Sequence, residues 1–187
     1  MDEAVVRRLI LHAGANPGAM YGKKGKHHLR QNIKRYNEAA RHSAWIVLVD
    51  LDHEADCAPS LRAAWLPVPA PTLCLRVAVR AVETWLLADR RHLSLFLGIP
   101  PARIPHDPEA VGDPKALMVT LASRSRRREV REDMVPRPHS GRKVGPVYTT
   151  RLIEFVEDTT HGWHPDIAVQ SSDSLGRCLH CLQRLVR

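Results

Sequence analysis

Apolar residues along this chain change their spacing several times, and each change predicts an element. Val5, Leu9 and Ile10 form one stripe through Glu3 to His12, which predicts a helix. Gly14, Pro17, Gly18, Gly22 and Gly25 predict a loop after it. Leu29 to His42 reads as a basic helix. Ala44 to Val49 is a continuous apolar run rich in β-branched residues, which predicts a strand buried on both faces. Ser60 to Leu66 reads as a short helix closed by Pro67, Pro69 and Pro71, and Thr72 to Val79 as a second buried strand. Val82 to Leu97 then reads as a helix or a broken helix pair. Strand, helix, strand, helix in this order predicts an α/β fold around a parallel sheet flanked by helices.

Beyond Gly98 the pattern turns helical and polar. Five prolines between Pro100 and Pro114 punctuate a loop, and Asp113 is placed to cap a helix over Lys115 to Ala122. The run Arg124 to Arg128 leads into the mixed charges of Glu129 to Asp133, and Pro136 to Pro146 is another polar loop. Helices around Val147 to Val156 and Leu175 to Val186 complete the pattern. The reading is a single domain over 1–187, with an α/β core over 1–98 and a helical C-terminal elaboration over 99–187. No linker separates the two.

Composition narrows the class. A length of 187 residues, 44% hydrophobic and 26% charged, is that of one globular domain rather than a disordered chain. No apolar run reaches the ~18 residues of a membrane span. Met1-Asp2-Glu3-Ala4 lacks the basic-then-apolar order of a secretory signal, so a cytoplasmic location is expected. The net charge is +8, and only six of the 28 basic residues are lysine. Arginine forks match phosphate oxygens in pairs, which points to phosphate or nucleic-acid partners, although a GC-rich coding sequence would also enrich arginine. Aromatic residues at 5% leave few platforms for stacking bases. Cys178 and Cys181 form a lone C-x-x-C without a second pair. With Leu175, Leu179, Leu182 and Val186 at helical spacing, they read as buried free thiols on a terminal helix.

The sharpest chemical feature is the end of the first strand. Asp50 and Asp52 stand two apart, so on a strand both carboxylates face one way, at the carboxyl end where open parallel sheets place their ligand sites. Such a pair is a seat for Mg²⁺, or Mn²⁺, which takes oxygen ligands and keeps waters or phosphates in its other positions. Arg80 and Glu83, three apart, would meet on one helix face as a structural pair, with Glu83 near enough to join the metal or position a water. Lys23, Lys24 and Lys26 beside glycines, the run Arg124, Arg126, Arg127 and Arg128, and Lys143 are the candidate nucleic-acid contacts. The glycine-flanked lysines fit a mobile loop equally well, and the arginine run a solvated helix face.

These residues carry a resemblance. The strand ending Asp50-Leu51-Asp52 resembles the second acidic motif of TOPRIM domains. Val77 to Asp89, with Arg80, Glu83, Trp85 and Asp89, is similar to the signature of a bacterial TOPRIM-like family of unknown function, numbered forty-two seventy-six. Asp113-Pro114-Lys115, Gly145 to Phe155 with Tyr148, and Ser174-Leu175 with Arg177 extend the likeness over most of the chain. TOPRIM domains bind Mg²⁺ and act on phosphodiesters. The resemblance therefore implies a divalent-metal nuclease, on DNA rather than RNA, with a role in defence against phage or mobile elements. It also implies a strand ending in glutamate ahead of the first helix. The sequence as given opens at that helix, which predicts either a start codon further upstream or a protein without that ligand.

On this reading Asp50 and Asp52 hold the metal, Glu83 is a further ligand or base, and Lys115 or an arginine stabilises the phosphate. No Walker loop is present, so any ATPase would be a separate chain. The competing reading is a non-catalytic nucleic-acid- or protein-binding subunit of a larger complex, and a homo-oligomer fits either reading.

Overall fold

The two apolar runs pair as a short parallel sheet with described helices on both of its faces. The computed structural model describes residues 1–21 and 25–186. α1 (Asp2–His12) and α2 (Lys26–Ala39) precede β1 (Trp45–Asp50); α3 (Ala58–Trp65) leads to β2 (Leu73–Ala78). α4 (Val82–Ala88), α5 (Arg90–Leu97), α6 (Pro114–Ser123), α7 (Arg128–Met134), α8 (Tyr148–Glu157), α9 (Pro165–Ala168) and α10 (Asp173–Val186) follow, with three 3₁₀ turns. β1 and β2 run parallel, in register from Trp45 opposite Leu73 to Asp50 opposite Ala78. Among the described residues the sheet has these two strands only. An α/β architecture with helices around a parallel sheet is therefore observed.

Alternation along each strand divides the core in two. Val47, Val49, Leu73, Leu75 and Val77 face Ile33 of α2 and Leu61 and Trp65 of α3. On the other face Ala78, with Ile46 and Leu48 packed at its margin, meets α1, α4 and the helices of the second half. Residues 99–186 thus share one core with α1 and α4 rather than standing apart. α4 is buried all round, as all seven of its residues are withdrawn from water. Burying Trp85, Leu86 and Leu87 in full contributes roughly 1.5–3 kcal/mol each.

One local expectation changes and two are made more definite. β1 is not sealed on both faces, because Ile46 and Leu48 stay partly exposed beside an open cavity of about 680 Å³ bordered by Met1, Val6, Tyr21 and Trp45. The mixed charges after the arginine run form a helix, α7, in which Val130 and Met134 are buried. The long apolar stretch after β2 is broken at Asp89, which ends α4 and caps α5 by accepting the His92 amide at 3.2 Å.

Candidate functional site

Asp50 is the last residue of β1, and its side chain points to the α1–α4 face of the sheet. Its Oδ1 accepts the Val82 amide at 3.0 Å, which ties the strand end to the start of α4. Among the described residues that carboxylate accepts no other hydrogen bond. Burial, followed by the neighbouring carboxylates of Asp2, Glu83 and Asp52, pushes the Asp50 carboxyl up to about 7. Asp2, in the first turn of α1, had no place in the sequence reading. The fold brings it there because α1 packs against the same face.

Glu83 lies in the first turn of α4 and is 1% exposed. The Tyr148 hydroxyl donates to its Oε1 at 3.3 Å, and the Lys115 ammonium stands 3.7 Å from the same oxygen. Burial and the adjacent Glu83 carboxylate hold the Tyr148 phenol well above its ordinary value, so it remains a donor. Lys115 is delivered by α6, whose N-terminus Asp113 caps by accepting the Ala116 amide at 2.8 Å. Tyr148 is delivered by the turn before α8. There Gly145 is required, because a Cβ would collide with the backbone of Asp133 and Met134. The fold thus brings Asp50, Glu83 and Lys115 together with Asp2 and Tyr148.

Asp52 and Arg80 go elsewhere. β1 ends at Asp50, so the strand alternation that would align the two aspartates stops short of Asp52. Asp52 sits in the following turn at φ 50°, exposed, with Oδ2 3.0 Å from the Lys26 ammonium. Lys26 also reaches Glu54 at 2.9 Å and donates to the Asp50 carbonyl at 2.6 Å. The Arg80–Glu83 pair does not form. Arg80 precedes α4 and donates to the Asp52 carbonyl at 3.2 Å, while Glu83 turns to Tyr148 and Lys115.

The basic residues scatter. Lys23 and Lys24 lie outside the described residues. Lys26 is held in its ion pairs rather than free for phosphate. Arg127 packs along Gly98 and donates to the Phe96 carbonyl at 3.3 Å, and Arg128 pairs with Glu132 at 2.7 Å. Arg124, Arg126 and Lys143 are exposed. Arg124 follows the last turn of α6, about 13 Å along the helix from Lys115. Cys178 and Cys181 are buried free thiols on α10, as expected, and Cys74 of β2 joins them.

A second cluster went unread in the sequence. Asp89 is fully buried; His92 Nδ1 lies 2.9 Å from both its carboxylate oxygens, and its Oδ2 accepts the His164 amide at 2.9 Å. The two imidazoles stack with centroids 4.1 Å apart. Asp89, His92 and His164 place one ligand atom each within 4.8 Å of one another and could hold a metal ion; among the described residues no other such triple exists. The spacing Asp89-x-x-His92 is a visible helix-cap signal. His164, far along the chain, leaves none.

No protein-family model, curated protein or solved structure matches this chain. No described helix is long and apolar enough to cross a membrane.

Proposed function

We propose that the chain is a TOPRIM-like, divalent-metal-dependent protein that processes phosphodiesters, with DNA as substrate and Asp50, Glu83 and Lys115 as its working residues. The supporting observation is the convergence of Asp50 and Glu83 at the carboxyl end of a parallel strand, with a lysine beside them and few hydrogen bonds to balance their charge.

The donors fit Mg²⁺ or Mn²⁺ better than a closed cage. Mg²⁺ is bound by one or two carboxylates and keeps waters or substrate phosphates in its remaining positions. Asp50 and Glu83 provide the two, and Asp52 does not belong to the set, being paired with Lys26. When bound, the cation would neutralise a phosphate oxygen and lower the pKa of a water. With only the Val82 amide on its Oδ1, Asp50 keeps its remaining lone pairs for the cation, whose charge would favour the ionised carboxyl. Glu83 is fixed in place by Tyr148. Lys115, half exposed beside Glu83, meets the charge that develops on the phosphate.

One observation favours the non-catalytic reading. Lys26 and Arg30 neutralise Asp52 and Glu54, leaving fewer free carboxylates at the strand end than the sequence offers. Incubating the protein with supercoiled and linear DNA separates the two readings. Cleavage that needs Mg²⁺ or Mn²⁺ and disappears in Asp50→Asn and Glu83→Gln supports the enzyme. DNA binding without cleavage, falling steeply with salt and unchanged in both variants, supports the binding subunit.

A further inference from the structure

The unpaired edge of β2 is flanked by α3 on one face of the sheet and α10 on the other. The space between them is a cavity of about 690 Å³, separate from the Asp50–Glu83 site. Arg62 enters it from α3, Arg76 and Arg80 from β2 and the residues just after it, and Arg177 and His180 from α10. Among the described residues Arg62, Arg76 and Arg80 form no ion pair. Arg76 spends Nε on the Arg177 carbonyl at 3.1 Å and Nη1 on the Leu75 carbonyl at 2.9 Å, and Arg80 reaches only the Asp52 carbonyl. The Nε of Arg62 is buried without a hydrogen-bond partner.

The nearby acids do not balance this charge. Glu109 accepts from the Ser172 hydroxyl at 2.6 Å and from the Ser174 amide at 2.9 Å, and Asp173 is occupied by Arg177 at 2.7 Å. Asp56 borders the cavity without pairing to any of the arginines. Burial of Arg62, with Arg76 and Arg177 close by, works against its charge. Since a guanidinium does not deprotonate in a protein, the repulsion stays until an anion enters.

We propose that this cavity binds a phosphate monoester, held by the guanidinium groups of Arg62, Arg76 and Arg80. Planar forks suit phosphate oxygens in pairs. A monoester carries close to two negative charges near pH 7, against one for a diester, and so answers several unpaired arginines better. No Phe, Tyr or Trp lines the cavity, so a base entering it would have only the His180 imidazole to stack on, and the phosphate is the main group recognised. The volume is that of a small-molecule site and admits a mononucleotide. A free nucleotide and the 5′ end of a nucleic-acid strand present the same group. The inference does not depend on catalysis at Asp50 and Glu83, because it concerns binding alone.

Calorimetric titration of the full chain at low salt tests it, using 5′-AMP, adenosine, and one oligonucleotide with and without a 5′-phosphate. The expected result is one AMP per chain, no heat from adenosine, and at least tenfold weaker AMP binding in Arg62→Gln and in Arg80→Gln. Arg41→Gln, just beyond α2 and paired with Glu38 on the surface, serves as an unaffected control. Tighter binding of the phosphorylated oligonucleotide than of AMP, with AMP displacing it, identifies a strand end as the source; equal or weaker binding identifies a free nucleotide. Absence of AMP binding, equal binding of adenosine, or unchanged AMP affinity in both variants overturns the proposal. Circular dichroism checks folding, and Arg80→Gln decides alone if Arg62→Gln does not fold.

Discussion

Asp50 and Asp89 are both aspartates that end one element and touch the start of the next helix, yet their surroundings treat them in opposite ways. Asp89 is satisfied: two backbone amides and the His92 ring surround its oxygens. Asp50 receives one amide and faces three carboxylates, which with burial raise its carboxyl to about 7. A fold gains from the first arrangement and loses from the second. The difference separates a residue that holds the structure together from one retained at a cost in stability, which is the usual mark of a working group.

Breaking Asp89 should have the largest effect. Asp89→Ala removes the α5 cap, the anchor of the His164 amide and the partner of His92, and is expected to destabilise the protein by about 3–5 kcal/mol. Urea denaturation measures it, and a loss below about 1 kcal/mol would place Asp89 outside the framework. The same experiment with added Zn²⁺ asks whether Asp89, His92 and His164 take a metal, since a bound ion raises the midpoint.

Asp50 should show the reverse sign. Its folded carboxyl lies above the ordinary 3.8, so the folded state holds the proton more tightly than the unfolded chain. That stability is fully present below about pH 4 and is lost as pH rises through about 7. The expected loss between pH 5 and 8 is about 2 kcal/mol, read from urea midpoints, and Asp50→Asn should flatten it. At pH 8 the same variant should be about 1 kcal/mol more stable than the natural chain while losing metal-dependent cleavage. Equal pH slopes in the two proteins would remove the contrast.

The comparison also shows what a sequence can and cannot display. The two strands, their parallel order and the Asp113 cap were legible because periodicity and capping are local. The Asp50–Asp52 pairing failed since strand alternation holds only while the strand lasts, and β1 stops at Asp50. Arg80 and Glu83 failed as a pair for a similar reason: α4 begins at Val82, so Arg80 is not on the helix. Trp85, singled out with them, serves packing instead; its indole donates to Ser174 at 2.7 Å and its carbonyl accepts from Trp163 at 3.0 Å. Asp2 and Tyr148 beside Asp50 and Glu83 could not be read, because only tertiary packing joins the four.

The smallest expected effect sharpens the boundary of the site. Lys26 holds Asp52 and Glu54 at the strand end, and Lys26→Met should cost about 1 kcal/mol, as partly exposed ion pairs do. If Asp52 stands outside the metal set, Asp52→Asn should leave metal affinity within about twofold. A tenfold loss would return it to the site the sequence suggested.

Titration of Mn²⁺ into the protein, followed by the electron paramagnetic resonance of the free ion, tests the central claim most directly. The natural chain should take up one ion in competition with Mg²⁺. Asp50→Asn and Glu83→Gln should each abolish that uptake, and Asp89→Asn should leave it in place. Unchanged uptake in Asp50→Asn and Glu83→Gln, or its loss only in Asp89→Asn, would contradict a metal site at the end of the first strand.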